Sequence, residues 1–379
     1  VIEPSVTVLL TVYNGEAFIG EAVESILAQT YTSFELIIID DASGDATPVI
    51  LAGFDDARIR LFRNEMNIGL TRSLNRGLLQ ARGVYVARQD ADDRSHPARL
   101  ALQVHFLANH PDAALVGTQC RVIDASGRYA FGAEDYRAQT PLAVQCQLLF
   151  ANPFVHSSVM FRKAIVCDEL GGYDDAYVFS QDFELWSRLL STHAGYNLGE
   201  RLIDYRSHKG SIVRARGVDV IDSRRTSVER NKAVQRLNII RVLGDKEFAS
   251  IWPAVWMRVT TSWIAGAPED PARVLLLIGE MYARFLARYP AARRDSEVHR
   301  AHAAALVMAA RGLMPYDRIV AARALYRAAI LSPAIAGRAA PRLAASAIGA
   351  AKVRSALKKL VARFATRSDL RLRERTPAP

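Results

Sequence analysis

Along residues 5–97 the hydrophobic pattern alternates between two periods. The runs "SVTVLLTVY" (5–13), "FELIIID" (34–40), "RIRLF" (58–62) and "VYVAR" (84–88) are short and rich in β-branched and aromatic residues, as strands buried on one or both faces are. Between them, "EAFIGEAVESILAQT" (16–30), "DATPVILAGF" (45–54) and "LTRSLNRGLLQARG" (70–83) space their apolar residues as helices do. The order βαβαβαβ predicts an α/β fold: a Rossmann-like, mostly parallel sheet flanked by helices. Ligands of such sheets bind outside the carboxyl ends of the strands. Those ends read "TVYNG", "DDASGD", "RNEMNIG" and "RQDADD", so polar chemistry is gathered on one edge.

Beyond residue 97 the pattern loosens into a helix "ARLALQVHFLANHP", a strand "AALVGTQCRVI", and the segments "PFVHSSVMFRK" and "GGYDDAYVFSQDFELWSRLLS". After about residue 216 glycine thins out and alanine, leucine and arginine dominate, which predicts an all-helical C-terminal region. The turn-like, basic "SHKGSIVRARG" marks the boundary. The expected domains are therefore 1–215 and 216–379.

Composition sharpens this picture in three places. The 379 residues are 50% hydrophobic, enough to fill a core, and three cysteines without CxxC spacing suggest reduced thiols used in packing. No leader-like segment and no run of about 18 apolar residues is visible, so a cytoplasmic protein that does not cross a bilayer is expected. The net charge of +10 is concentrated near the end: residues 336–379 hold eleven Lys and Arg against Asp369 and Glu374. Within that tail Val353, Leu357, Leu360, Val361 and Phe364 recur at helical spacing among the bases. Two readings follow: a basic amphipathic helix lying on the anionic inner face of a membrane, or a helix packed on its own domain with a solvated cationic face.

The edge chemistry centres on "YVARQDADDRSHP". Three aspartates, Asp90, Asp92 and Asp93, crowd the end of a strand. A pair of aspartates one residue apart also occurs in solvated acidic turns. Here, crowded like charges raise one another's pKa unless a cation holds them, and a hard divalent ion bound partly through phosphates is their natural partner. Asp40 and Asp41 end the second strand, where acids accept hydrogen bonds from a ribose or base edge, while Ser43 or Asp45 beside them reads equally as a cap of the next helix. No GxGxxG follows the first strand, which argues against a dinucleotide-binding dehydrogenase.

The runs "SVTVLLTVYNG", "AVESILAQTY", "FELIIIDDASGDAT", "RNEMNIGLTRSLNRGLLQARGVYVARQDADD", "HSSVMFRK" and "GGYDDAYVFSQDFELWSRL", in this order, resemble the GT-A glycosyltransferases of family 2 over residues 4–215. The resemblance implies a GT-A fold and transfer of a sugar from a nucleotide-diphosphate donor, a UDP-sugar first, to a glycan or lipid-linked hydroxyl acceptor. Position by position it implies nucleotide contacts for Thr11, Tyr13, Asp41, Arg72 and Asp90, and a DxD motif of Asp90 and Asp92 holding Mg²⁺ or Mn²⁺. Asp93 would assist or orient the loop, and Asp182 would be the general base. Gln181 departs from the acid usual before that base and removes one negative charge beside it. The resemblance further allows His156 on the acceptor side and Arg206 and His208 against the diphosphate; a structural histidine and a solvated basic loop are the competing readings. Trp186 is a core residue or a platform for a sugar ring, and "SQDFELW" read without the family is a helix start capped by Ser180.

Inverting transfer requires one base to remove the acceptor proton and one cation to stabilise the leaving diphosphate. A retaining route needs a nucleophile on the opposite face, and no candidate stands out. A sugar-phosphate nucleotidyltransferase shares the alternating fold, but "TVYNG" lacks the glycine-rich, basic start that binds a triphosphate. A nucleic-acid-binding module would make the tail primary; its bases have few aromatics among them for stacking, so no nucleic-acid partner is expected.

Overall fold

The computed structural model describes residues 4–130, 136–208, 218–260 and 270–336. The predicted alternation is present: β1 (Val6–Val12), α1 (Ile19–Leu27), β2 (Phe34–Asp40), α2 (Thr47–Ala52), β3 (Ile59–Arg63), α3 (Leu70–Gln80) and β4 (Tyr85–Asp90). There follow β5 (Arg94–Ser95), α4 (Arg99–Asn109), β6 (Ala113–Ile123), α5 (Pro141–Leu148), β7 (Met160–Arg162), α6 (Gln181–Leu189) and β8 (Ala194–Arg206). All eight strands join one sheet in the order β3-β2-β1-β4-β7-β6-β8-β5. The half built from β1 to β4 is parallel, whereas β7 enters antiparallel between β4 and β6. The sheet is thus mixed.

Burial explains the strand order. Every residue of β1 and β2 is buried, as central strands covered on both faces must be, while β3 alternates partial exposure at the edge. Val6, Val8, Leu10 and Val12 pack with Ile19, Val23 and Ile26 of α1. On the other face α3 lies close against the sheet through Gly77, where a Cβ would stand 2.2 Å from Leu9 Cδ1 and 3.3 Å from Ile39 Cγ1. That close approach seats α3 on the sheet, and Leu70 and Ser73 at its start line the site described below.

The turn after β4 is set by a buried guanidinium. Arg99 donates to Gln89 Oε1 (3.0 Å), Ser95 Oγ (2.9 Å), Gln103 Oε1 (3.0 Å), and the carbonyls of Arg88 (2.7 Å) and Val159 (3.2 Å). No carboxylate pairs with it directly, and burial, helped by the charge of Arg88, pulls it down to about 9. The network joins β4, β5, α4 and the segment entering β7.

The chain divides into two compact units, Val1–Pro253 and Ala254–Pro379. The helix α7 (Val218–Leu243) and the start of α8 (Lys246–Thr260) belong to the first unit because their polar side chains reach into it. Asn238 meets Ser187 Oγ at 2.5 Å, Gln235 donates to Phe150 O at 3.2 Å, and Trp252 donates to Leu149 O at 3.2 Å. The second unit contains α9 (Pro271–Arg288), α10 (Ser296–Leu313) and α11 (Arg318–Leu331), each preceded by an aspartate whose carboxylate accepts first-turn N–H groups. The helical C-terminal region was expected. The basic amphipathic tail lies outside the described residues, and among the described residues no helix is long and apolar enough to cross a membrane.

Replacing Arg99 by methionine keeps the volume but leaves its buried acceptors short of donors. An Arg99→Met variant is expected to lose about 3 kcal/mol of stability, read as a lower urea midpoint with an unchanged slope.

Candidate active site

Strand register assembles the cleft. The parallel pairing of β1 with β4 sets Thr11 beside Asp90, and that of β1 with β2 sets Val12 beside Asp40. Asp41 continues the same edge by donating its backbone N–H to Val12 O at 2.8 Å. A cavity of about 490 Å³ opens there, lined by Thr11, Tyr13, Asp41, Asp90, Asp92 and His208 among others.

Each of these side chains is held differently. Thr11 is buried, and its Oγ1 accepts from Arg88 at 3.3 Å. Tyr13 stands at the rim with 54% of its surface exposed. Asp41 is buried and accepts from Asn64 Nδ2 (2.6 Å) and the backbone N–H groups of Ile68 and Gly69 (2.9 Å each). It therefore fixes the loop before α3, where Gly69 takes a φ of 87° that favours glycine. Arg72, on the first turn of α3, is largely exposed with Nε 3.6 Å from Asp175, and it does not line the cavity.

The three clustered aspartates point in different directions. Asp90 receives a bond from Arg88 Nη2 at 2.7 Å. Asp92 meets His208 Nε2 at 3.0 Å, and the imidazole also packs against the Phe18 ring at 4.7 Å. Asp93 turns inward, fully buried, to accept from Ser157 Oγ and from the backbone N–H of Arg206 at 2.8 Å. Burial, followed by the charge of Asp90, raises the Asp92 carboxyl above its usual range, with the His208 bond opposing. The same two causes raise Asp93 well above it. Asp93 is thus a loop anchor, and it does not line the cavity.

Arg206 departs from expectation. Its guanidinium is buried and donates to Asp92 O (2.8 Å), Ala125 O (3.2 Å) and Glu21 Oε2 (2.7 Å), and it lies 4.6 Å over the Phe18 ring. With those N–H groups committed inside the protein, it is a structural clip instead of a diphosphate contact. His156 is also away from the cavity lining; its Nε2 lies 2.9 Å from the Tyr173 hydroxyl. Burial first, then the Arg88 charge, lowers it to about 3, so the ring is neutral near pH 7. Trp186 is wholly buried, which makes it core.

Asp182 sits in the first turn of α6 and accepts from Asn152 Nδ2 at 2.7 Å. Ser180 makes no capping bond from its side chain and takes a left-handed φ of 61°, so it does not cap this helix as its sequence position suggests. Burial is the largest influence on Asp182 and raises its pKa; the negative charge of Asp90 adds to the rise, while the Phe183 N–H and Asn152 lower it. Asp182 is not among the residues that line the cavity.

Two residues of this constellation escaped the sequence reading. Arg88 is 1% exposed yet lines the cavity, donating to Asp90, Thr11 and Leu9 O, with its Nε buried and unpartnered. The available signal was a charged residue inside a strand pattern that is otherwise buried. Asn152, in a loop before a proline, gave no such signal.

The donor set, two carboxylates with an imidazole beside them, is the hard oxygen and nitrogen chemistry that suits Mg²⁺ or Mn²⁺. Asp90 and Asp92 would hold such an ion from the cavity floor, with His208 as neighbour. Among the described residues no three His, Cys, Asp or Glu side chains already converge as a metal cage.

Comparison with known proteins agrees with this geometry. The sequence profile of Glycosyl transferase family 2 matches residues 7–167. EpsE of Bacillus subtilis is 38% identical over 218 residues, which are 56% of this chain and 76% of EpsE. The O-antigen biosynthesis glycosyltransferase WbnJ of Escherichia coli is 30% identical over 216 residues, 54% of this chain and 81% of WbnJ. In fold, residues 1–349 of S. aureus TarS, solved in complex with UDP-GlcNAc, align with a TM-score of 0.53 at 16% identity, covering 84% of this chain and 90% of that one. From its sequence and its GT-A architecture together, this chain belongs to glycosyltransferase family 2.

Proposed function

We propose that the protein is an inverting glycosyltransferase that uses a divalent cation to move a sugar from a nucleoside-diphosphate donor to a hydroxyl acceptor in cell-surface polysaccharide, lipopolysaccharide or glycolipid synthesis. The observation that carries this reading is the meeting of Asp90 and Asp92 with Thr11 at one cavity. The names of relatives support the pathway class: WbnJ is an O-antigen biosynthesis enzyme and ExoO a succinoglycan biosynthesis protein. The TarS complex with UDP-GlcNAc supports a UDP-sugar as the first donor to try.

In this reading residues 1–215 carry the chemistry. Tyr13 offers an exposed ring to the base. Asp41 has about four lone-pair sites and accepts three hydrogen bonds from the protein, so one acceptor position is left for a base N–H. Asp90 and Asp92 would hold Mg²⁺ or Mn²⁺ against the diphosphate, with His208 beside them, and Arg72 would approach the nucleotide from the rim. The ion, when bound, supplies positive charge where the leaving diphosphate gains negative charge. Asp182 removes the acceptor proton, and Arg88 keeps Asp90 oriented and partly neutralised. His156 stays neutral toward the acceptor side.

Placement at the inner face of the membrane fits a lipid-linked acceptor. The outward row of α11 supports it: Ile319, Tyr326 and Ile330 are 69%, 49% and 55% exposed. From Arg318 to Ser368 the chain contains no Asp or Glu at all. Apolar contact beside uncompensated positive charge is the chemistry of an anionic membrane surface.

With Mn²⁺ present, release of UDP from UDP-sugars is expected to fall about 100-fold or more in both Asp92→Ala and Asp182→Asn; full turnover in both variants rejects the assignment. The raised pKa of Asp182 sets the pH profile. The base works only when ionised, so activity should climb with pH through a limb lying above the ordinary aspartate value. Stability moves oppositely. Because the folded protein holds this proton to higher pH than the unfolded chain, stability falls as pH rises between the usual and the raised value. Asp182→Asn, which carries no charge to bury, should therefore melt at least as high as wild type at pH 7 in calorimetry. The full chain is expected to co-sediment with phosphatidylglycerol vesicles but not with phosphatidylcholine ones, and to detach as salt is raised.

A further inference from the structure

Asp182 is buried at the start of a helix, and a buried carboxylate used as a base must be both ionised and aimed. The charge acting on it most strongly is that of Asp90, which opposes ionisation. The two titratable rings in this region provide no cation: burial holds the Tyr173 phenol protonated, and His156 is neutral. What remains on the favourable side are the backbone N–H groups of Phe183 and of Asp182 itself and, as the one side-chain donor, the amide of Asn152.

The geometry of Asn152 leaves no ambiguity about which end of its amide faces the base. Oδ1 accepts the backbone N–H of Phe154 at 3.1 Å, so Nδ2 is the end that donates to Asp182 Oδ2 at 2.7 Å. The loop that carries it is fixed in turn. Arg137 Nη1 donates to Asn152 O at 3.1 Å, Asn197 Nδ2 donates to Pro153 O at 3.1 Å and to Ala138 O at 2.7 Å, and Pro153 restricts the backbone at the next position. Asn152 is thus set before any substrate arrives, and its supporting bonds come from residues outside the cavity.

We infer that Asn152 is a positioning residue for the general base: it occupies Asp182 Oδ2 and so directs Oδ1 toward the acceptor hydroxyl. The inference rests on the reading of Asp182 as that base. In the step it serves, the hydroxyl oxygen bonds to the anomeric carbon and its proton passes to Oδ1. The bond from that carbon to the nucleoside diphosphate breaks, and its electron pair leaves with the diphosphate. An amide suits this task better than a cation because it orients the carboxylate without suppressing its basicity as strongly as a full positive charge would.

The test is the pH dependence of UDP release from UDP-sugars by the full chain, in wild type, Asn152→Ser and Asn152→Asp. Serine keeps an oxygen for the Phe154 N–H but is too short to reach Asp182; aspartate keeps the shape and replaces the donor with a carboxyl. In both variants the acid limb of kcat should move to higher pH, further in Asn152→Asp, and the plateau of Asn152→Ser should drop about tenfold with the donor KM unchanged. An acid limb that stays at its wild-type position in both, or a loss confined to the donor KM, overturns the inference. Asp182→Asn, run alongside, separates the two claims: its activity reports on the base assignment, whatever the Asn152 variants do.

Discussion

The bonds to the Asp93 carboxylate govern how the rest of the site is built. An aspartate buried beside two others costs free energy, and here Ser157 and the Arg206 N–H offset that cost by satisfying both oxygens. The consequence is geometric. Pulling Asp93 inward turns the chain after β4 so that Asp90 and Asp92 remain at the cavity. The same contact draws in the end of β8, where the Arg206 guanidinium ties down the Asp92 carbonyl and, two residues later, His208 reaches the Asp92 side chain. One buried acid therefore joins strands that are distant in sequence into a single cavity wall.

Around this anchor the acidic charges oppose one another's ionisation. Asp90 raises the pKa of Asp92, Asp93 and Asp182 alike. Arg88 partly balances Asp90 from below, and a neutral amide balances Asp182. In the proposed mechanism a divalent ion and a diphosphate complete the balance on the Asp92 side, while Asp182 stays basic on the other.

The parallel half of the sheet was legible because each of its strands and helices carries its own period. "FELIIID" became β2 over the same residues, and the strand ends do converge. The roles inside "RQDADD" were less legible, because Asp90, Asp92 and Asp93 are chemically identical and only tertiary contacts with Ser157 and Arg206 distinguish them. Arg206 illustrates the same limit: an arginine beside a histidine reads as a phosphate ligand until the partners for its guanidinium are known. The burial of α7 was hidden in the sequence for a related reason. The polar residues of α7, such as Gln235 and Asn238, look solvent-facing in sequence but are buried against the first unit.

In the proposed site Asp92 faces a nucleoside diphosphate and its cation, whereas Asp93 faces the protein. Calorimetric titration of UDP in the presence of Mn²⁺ tests it most directly, comparing wild type with Asp92→Asn and with Ser157→Ala, which loosens the Asp93 anchor without touching the cavity lining. Asp92→Asn is expected to weaken binding about tenfold or more at an unchanged melting temperature, and Ser157→Ala to lower the melting temperature more than it weakens binding. Wild-type affinity in Asp92→Asn would contradict this placement of Asp92.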